Sequence, residues 1–336
     1  MTATFRIVSF GEAMIRLTPP ANERLERTIS LNLTSGGSEL NTVVTAGCLG
    51  HQGAWVSALP DTALGRSIVR SARAHAVDTN GVSMLPEVEG RTGLYFLEEG
   101  ADPRPSSVLY DRANSAMALL KAGHFAWEQL LAGAQAFMVS GITPALGPGA
   151  RQETLNAIWA ANKLRIPVFF DPNYRSKLWT EDEARACFVE IVPYVDVLFA
   201  SRSGLESFFG VTGSDHGEAL SNACERLGLA ACVLTRKRGK RSRSQKMAAI
   251  GALANRAVFE TDWTDVEIVD RVGGGDAFAG GFICGYLEQP ENLAHALELG
   301  LAASTLKHTM VGDFLCATRS EIEAAMIQGE GGVLQR

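Results

Sequence analysis

The sequence predicts a three-layer α/β/α sandwich with a mostly parallel central sheet and a small β-rich lid. Short apolar runs alternate with longer amphipathic segments over most of the chain. Two stretches break that alternation with hairpin-like chemistry. A triple glycine joins an apolar run to a helical segment of small residues.

The apolar runs predict strands over residues 5–10, 54–58, 136–140, 167–171, 195–200 and 231–235. Each is rich in Val, Ile, Phe, Leu or Ala and is too short for a helix. Helical periodicity fills residues 64–76, 150–164, 181–192 and 216–227 between them. Strands alternating with helices in this way build a parallel sheet covered on both faces. Residues 14–35 carry no sustained helical period, and residues 91–111 hold two strand-like runs, 93–98 and 107–110, around a Gly/Pro-rich turn. Together these two stretches read as a lid inserted in one α/β domain spanning residues 1–336. The segment 329–336 reads as a loose tail.

Composition narrows the function classes. With 336 residues, 46% of them hydrophobic, the chain can bury a large core. A net charge of −6 argues against a broad nucleic-acid-binding face. No run of about 18 apolar residues predicts a membrane span. The first residues lack the basic start and long apolar core of a secretory signal, so a cytoplasmic protein is expected. The six cysteines show no Cys-x-x-Cys spacing and read as reduced, mostly buried thiols.

Three polar constellations are candidates for chemistry. In the first, Ile268-Val269 lead through Asp270-Arg271-Val272 into Gly273-Gly274-Gly275-Asp276. Glycines let a ligand approach the backbone, and free N–H groups at a helix start attract an anion. Asp276 beside such a site suits a base that takes a proton from an attacking hydroxyl. It also reads as a helix N-cap. Second, Gly36-Gly37-Ser38-Glu39-Leu40-Asn41 is another tight loop entering a helical run, suited to sugar hydroxyls or simply to capping. Third, Asp171-Pro172-Asn173-Tyr174-Arg175 follows the strand near 167–171 directly, and ligands bind beyond the carboxyl ends of parallel strands.

Together these stretches resemble the ribokinase-like (PfkB) family of sugar kinases. The resemblance runs from Gly11-Glu12 to about Asp313, and the stretch from Asp270 to Asp276 resembles the second family signature. It implies the ribokinase-like fold and ATP and Mg²⁺ as cofactors; whether a monovalent cation also assists near the anion hole stays open. Within the family the chain is most similar to 2-keto-3-deoxygluconate kinases. Gly93-Leu94-Tyr95, Tyr110-Asp111-Arg112, Ser140-Gly141-Ile142 and Asp171–Arg175 carry that similarity. The resemblance implies Asp276 as general base and Gly273, Gly274 and Gly275 as an anion hole. It assigns Gly36, Gly37, Asn41, Tyr95, Tyr110, Arg112, Ile142, Arg175, Asp276 and Asp313 to the sugar. Asn173, Ser201, Thr235 and the three glycines fall to the nucleotide.

Arg112 and Arg175 meeting at one ligand suit a carboxylate, so an acidic sugar phosphorylated at its terminal hydroxyl is expected. A neutral ketose such as fructose, and a sugar or nucleotide sensor with little catalysis, stand as alternatives. The sensor reading arises because Ser201-Arg202-Ser203-Gly204 stands where the family has Asn-x-x-Glu, which leaves the metal ligands unassigned. The basic segment 235–244 reads either as a phosphate-facing loop or as a solvated one. Leu94, Phe96, Val108 and Leu109 form either a homodimer surface on the lid or its internal core.

Overall fold

The computed structural model describes residues 3–101, 103–239 and 244–327. The tail at 329–336 and the basic residues 240–243 lie outside the described residues.

Ten strands form the main sheet. In spatial order they run Val258–Glu260, Ser244–Leu253, Ala231–Arg238, Val197–Phe199, Val168–Asp171, Ala136–Ser140, Arg6–Phe10, Gln52–Pro60 and Val82–Leu85, and Thr264–Glu267 pairs with Ser244–Leu253. From Ala231–Arg238 to Val82–Leu85 every neighbour is parallel; the strands beyond Ala231–Arg238 are antiparallel.

The period-2 alternation of the strands divides the core in two. Val8, Phe10, Phe137, Val139, Val168 and Phe170 pack under the helices Pro148–Lys163, Glu181–Ile191, Arg202–Phe209 and His216–Leu227. Ile7, Ala136, Met138 and Phe169 point the other way, against Ser38–Cys48, Ala63–Ala74, Gly274–Glu288 and Leu293–His308. The predicted three layers are therefore present. Four of the six cysteines are buried and all six are free.

A second sheet of four strands has the order Asn32–Gly36, Met14–Thr18, Leu94–Glu98, Ser107–Asp111. It joins the two stretches expected to form the lid. Tyr95 pairs with Tyr110 across its hairpin. Met14, Tyr95 and Leu97 are buried on one face with Val108 and Tyr110. Leu94 packs against the main core instead. Of the four apolar lid residues only Leu109 is well exposed, at 58%.

The structure corrects one boundary at the glycine turn. The strand there is Thr264–Glu267, and Ile268-Val269 lie beyond its end. The backbone N–H groups of Val269 and Asp270 donate instead to the His308 carbonyl, at 2.8 and 3.1 Å. They are tied to the C-terminal end of the helix Leu293–His308 and leave the ladder.

Candidate active site

The helix Gly274–Glu288 begins two residues before Asp276, and Gly273, at φ 82°, holds its cap position. Asp276 is therefore not the N-cap. Each glycine has a distinct reason to lack a side chain. A Cβ on Gly273 would lie 2.0 Å from the Asp313 carbonyl, and one on Gly274 would lie 2.0 Å from the His308 ring. A Cβ on Gly275 would meet nothing within 4 Å. The first two glycines are close-packed against the body, whereas the third faces open space with its N–H at a helix start, where an anion is favoured.

Asp276 is held from the helix Ser38–Cys48. Ser38 Oγ donates to its Oδ1 at 2.7 Å, and Asn41 Nδ2 donates to its Oδ2 at 2.6 Å. Asn173 Nδ2 reaches Ser38 Oγ at 3.4 Å, which extends the network to the third constellation. Burial raises the Asp276 pKa above the ordinary carboxylate value; Asn41, Ser38, Arg175 and Lys307 oppose that rise. A carboxylate oriented by two donors and made more basic by burial suits proton abstraction.

Asp171 ends the strand Val168–Asp171, on the carboxyl side of the sheet, and accepts the Asn173 N–H at 3.0 Å. Burial first, and then the charge of Asp276, push its pKa up to about 7. Between the ordinary value of 3.8 and about 7 the folded state therefore binds more protons than the unfolded chain, and stability falls as pH rises through that window. Asp171→Asn is expected to raise the melting temperature at pH 8 by a few degrees more than at pH 4.5. A gain equal at both pH values, read by scanning fluorimetry, would mean that Asp171 titrates normally.

Arg112 and Arg175 line one cavity of about 760 Å³ between the lid and the body, together with Tyr110, Tyr174 and Lys177. Arg175 is exposed, makes no ion pair among the described residues, and lowers the pKa of both Asp171 and Asp276 by its charge. Arg112 is already engaged: its Nε donates to Glu12 Oε2 at 2.8 Å and its Nη2 pairs with the same oxygen. The other oxygen, Glu12 Oε1, is buried without a hydrogen-bond partner.

The remaining expected residues fall in three places. Tyr95 and Asp313 are buried, at 3% and 4% exposure, and bond each other: the Tyr95 hydroxyl lies 2.6 Å from each carboxylate oxygen. Gly36 fits beside them because a Cβ there would lie 1.9 Å from Asp313 Oδ2, and one on Gly37 would lie 2.2 Å from the Glu12 carbonyl. Ile142 follows the strand Ala136–Ser140, and its N–H donates to Ser140 Oγ at 3.2 Å. Ser201 lies just past the strand Val197–Phe199, and Thr235 lies within Ala231–Arg238, opposite Ala249; these two strands are parallel in the register Phe199↔Val233. Ser201 caps the helix Arg202–Phe209 by accepting the Gly204 N–H at 3.0 Å.

Sequence reasoning missed several members of this network. Glu39 is buried and its Oε1 accepts from Ser140 N, Ser140 Oγ and Thr143 Oγ1 at 2.9, 2.6 and 2.8 Å, so it ties the helix start to the strand end. Its place in the first turn of a helix, where acidic residues are favoured, was the available signal. Arg16, Asp270 and Lys307 form a buried charge cluster behind the glycine turn. Among the described residues no three His, Cys, Asp or Glu side chains form a ready metal cluster.

The pfkB carbohydrate kinase family matches residues 4–318. The chain belongs to this family. Sequence relatives agree over nearly the full length. A 2-dehydro-3-deoxygalactonokinase from Haloferax volcanii is 36% identical over 98% of this chain and 99% of its own. A 2-dehydro-3-deoxygluconokinase from Thermoproteus tenax is 29% identical over 93% and 90%. Among solved structures, the 2-dehydro-3-deoxygluconokinase of Thermotoga maritima superposes with a TM-score of 0.92 at 33% identity, covering 97% of this chain and 99% of that one. The ribokinase-like fold and a sugar kinase activity are thereby shown. No described helix is long and apolar enough to cross a membrane.

Proposed function

We propose that this kinase transfers the terminal phosphoryl group of ATP to the terminal hydroxyl of a 2-keto-3-deoxy sugar acid, 2-keto-3-deoxygluconate first among them. One observation carries the substrate class: Arg175, exposed and unpaired, shares a cavity with Arg112 and Lys177. In a chain of net charge −6 this is a local positive pocket suited to a carboxylate. The names of the relatives above support the same class.

In this reading the sugar carboxylate meets Arg175 and Arg112, and the far hydroxyl reaches Asp276. Asp276 takes the hydroxyl proton as its oxygen attacks phosphorus, and ADP leaves. The N–H groups at Gly274 and Gly275 stabilise charge building on the transferred group. Asp171, the carboxylate that ends the strand Val168–Asp171, is the residue that would help hold Mg²⁺. When bound it supplies charge neutralisation on the phosphates. Ser201 and Thr235 mark the nucleotide side. The small sheet acts as a lid that excludes water.

Coupled ADP release, measured with 2-keto-3-deoxygluconate, its galactonate epimer, fructose and ribose, tests the proposal. Turnover at least tenfold higher in kcat/KM for a keto-deoxy acid is expected. Preference for fructose or ribose would overturn the acidic-substrate reading, and no sugar-dependent release would favour a sensor.

A further inference from the structure

Arg16 lies in the middle of the lid strand Met14–Thr18, yet it is 1% exposed. Its Nε donates to Thr18 Oγ1 at 2.9 Å and its Nη1 donates to Asp313 Oδ1 at 3.0 Å. Its Nη2 makes an ion pair with Asp270 Oδ2 at 2.6 Å. Burial works against the guanidinium charge, but Asp270 and Asp313 outweigh it and keep Arg16 protonated.

Both carboxylates are structural parts of loops that shape the anion hole. Asp270 Oδ1 accepts the Val272 N–H at 3.0 Å, one residue before Gly273. Its Oδ2 accepts the Gly312 N–H, also at 3.0 Å. The next residue, Asp313, presses its carbonyl against Gly273, where a Cβ would lie 2.0 Å away. Lys307, fully buried, donates to the Met310 carbonyl at 3.1 Å and packs its stem beside the same glycine. Two buried carboxyl groups thus join the loop 270–273 to the loop 311–313; Arg16, from the lid, is the cation that contacts both directly, and Lys307 adds a second positive charge beside them. Without Arg16 the two carboxyl groups lose their direct partner, only Lys307 opposes their repulsion, and the loops are held together less firmly.

We infer that Arg16 is a positioning residue for phosphoryl transfer: its guanidinium, fixed on the lid strand, sets the glycine turn and fills the place an exchangeable monovalent cation would take between Asp270 and Asp313. The oxygen atoms that would hold such an ion beside the anion hole are already spent on Arg16, Tyr95 and backbone N–H groups. They do not fit a monovalent cation as well. The enzyme therefore needs none. This inference rests on the kinase reading but not on which sugar is the substrate.

Two measurements test it. The first uses the unaltered protein: turnover with its best sugar at constant ionic strength in sodium, potassium, caesium or tetramethylammonium chloride. Equal rates are expected; activation by potassium of more than about threefold would overturn the inference. The second compares Arg16→Ala and Arg16→Lys for kcat, KM and binding of ADP with Mg²⁺ and aluminium fluoride, a mimic of the transferring phosphoryl group. Arg16→Ala is expected to lose about 100-fold in kcat, the scale of one lost anion-hole donor, with sugar KM little changed. Its binding of the aluminium fluoride complex should weaken by a similar factor while ADP alone binds normally. Added guanidinium or potassium should restore part of both, and Arg16→Lys should retain more than Arg16→Ala. A folded Arg16→Ala with full kcat, or a loss that no cation restores, would sink the inference. The fluoride readout needs no sugar, so it separates failure here from failure of the substrate reading. If neither variant folds, the salt comparison on the unaltered protein decides.

Discussion

Asp276→Asn is expected to lower kcat by about 10³-fold, within the range for removing a general base, while the protein folds at least as well as before. The fold should survive because the hydrogen-bond partners of Asp276 tolerate an amide. Asn41 donates to one oxygen and Ser38 Oγ to the other. The new amide can keep its oxygen toward Asn41 and turn its NH₂ toward Ser38 Oγ, which accepts as readily as it donates. Stability should rise above the raised pKa of Asp276, because burial then no longer works against a charge. The gain should build as pH rises from the ordinary value of 3.8 to that raised pKa, and vanish below 3.8, where the carboxyl is neutral in folded and unfolded chains alike. Loss of turnover together with a gain in high-pH stability separates a base from a structural residue. Steady-state kinetics and melting curves on the same preparation check both halves. A variant that kept near-full kcat would leave Asp276 as a mere hydrogen-bond acceptor for the helix Ser38–Cys48.

The parts of this site legible in the sequence share a cause. Asp276, Asn41 and Arg175 each sit beside a glycine pair or a strand end, where backbone geometry and side-chain chemistry are written in adjacent residues. The parallel strands were legible for a similar reason, since runs such as those at 136–140 and 167–171 are apolar on both faces. The antiparallel extension Ser244–Leu253 was not, because its Ala-rich sequence has weak strand propensity and follows a basic segment. Arg16 was hidden by its own alternation. A charged residue in a strand reads as solvent-facing, yet its partner Asp313 is 297 residues away in sequence. Tyr95 and Asp313 were each singled out in the sequence as candidates, but their mutual bond was not legible there. Local pattern cannot show that two polar groups satisfy each other.

Arg175 and Arg112 should respond differently to removal although they line the same cavity. Arg175→Met is expected to raise the KM for a keto-deoxy sugar acid about 100-fold, the worth of a charge-assisted hydrogen bond near 3 kcal/mol, and to leave fructose nearly unaffected. Stability should hardly change, because Arg175 is exposed and makes no ion pair among the described residues. Arg112→Met should weaken the acid too, but with a cost in folding. Its partner Glu12 is 5% exposed, with one oxygen already unsatisfied, so losing Arg112 leaves a buried carboxylate without its cation. Breaking such a pair typically costs about 3–5 kcal/mol. The two variants therefore form a matched comparison, with selectivity lost in both and stability lost in one. If Arg175→Met weakened the acid and fructose equally, the carboxylate would not be meeting Arg175. Arg112→Met, Glu12→Gln as a double variant should recover much of the stability while the acid stays weakly bound. That recovery would show that the folding cost of Arg112→Met comes from the stranded Glu12 carboxylate.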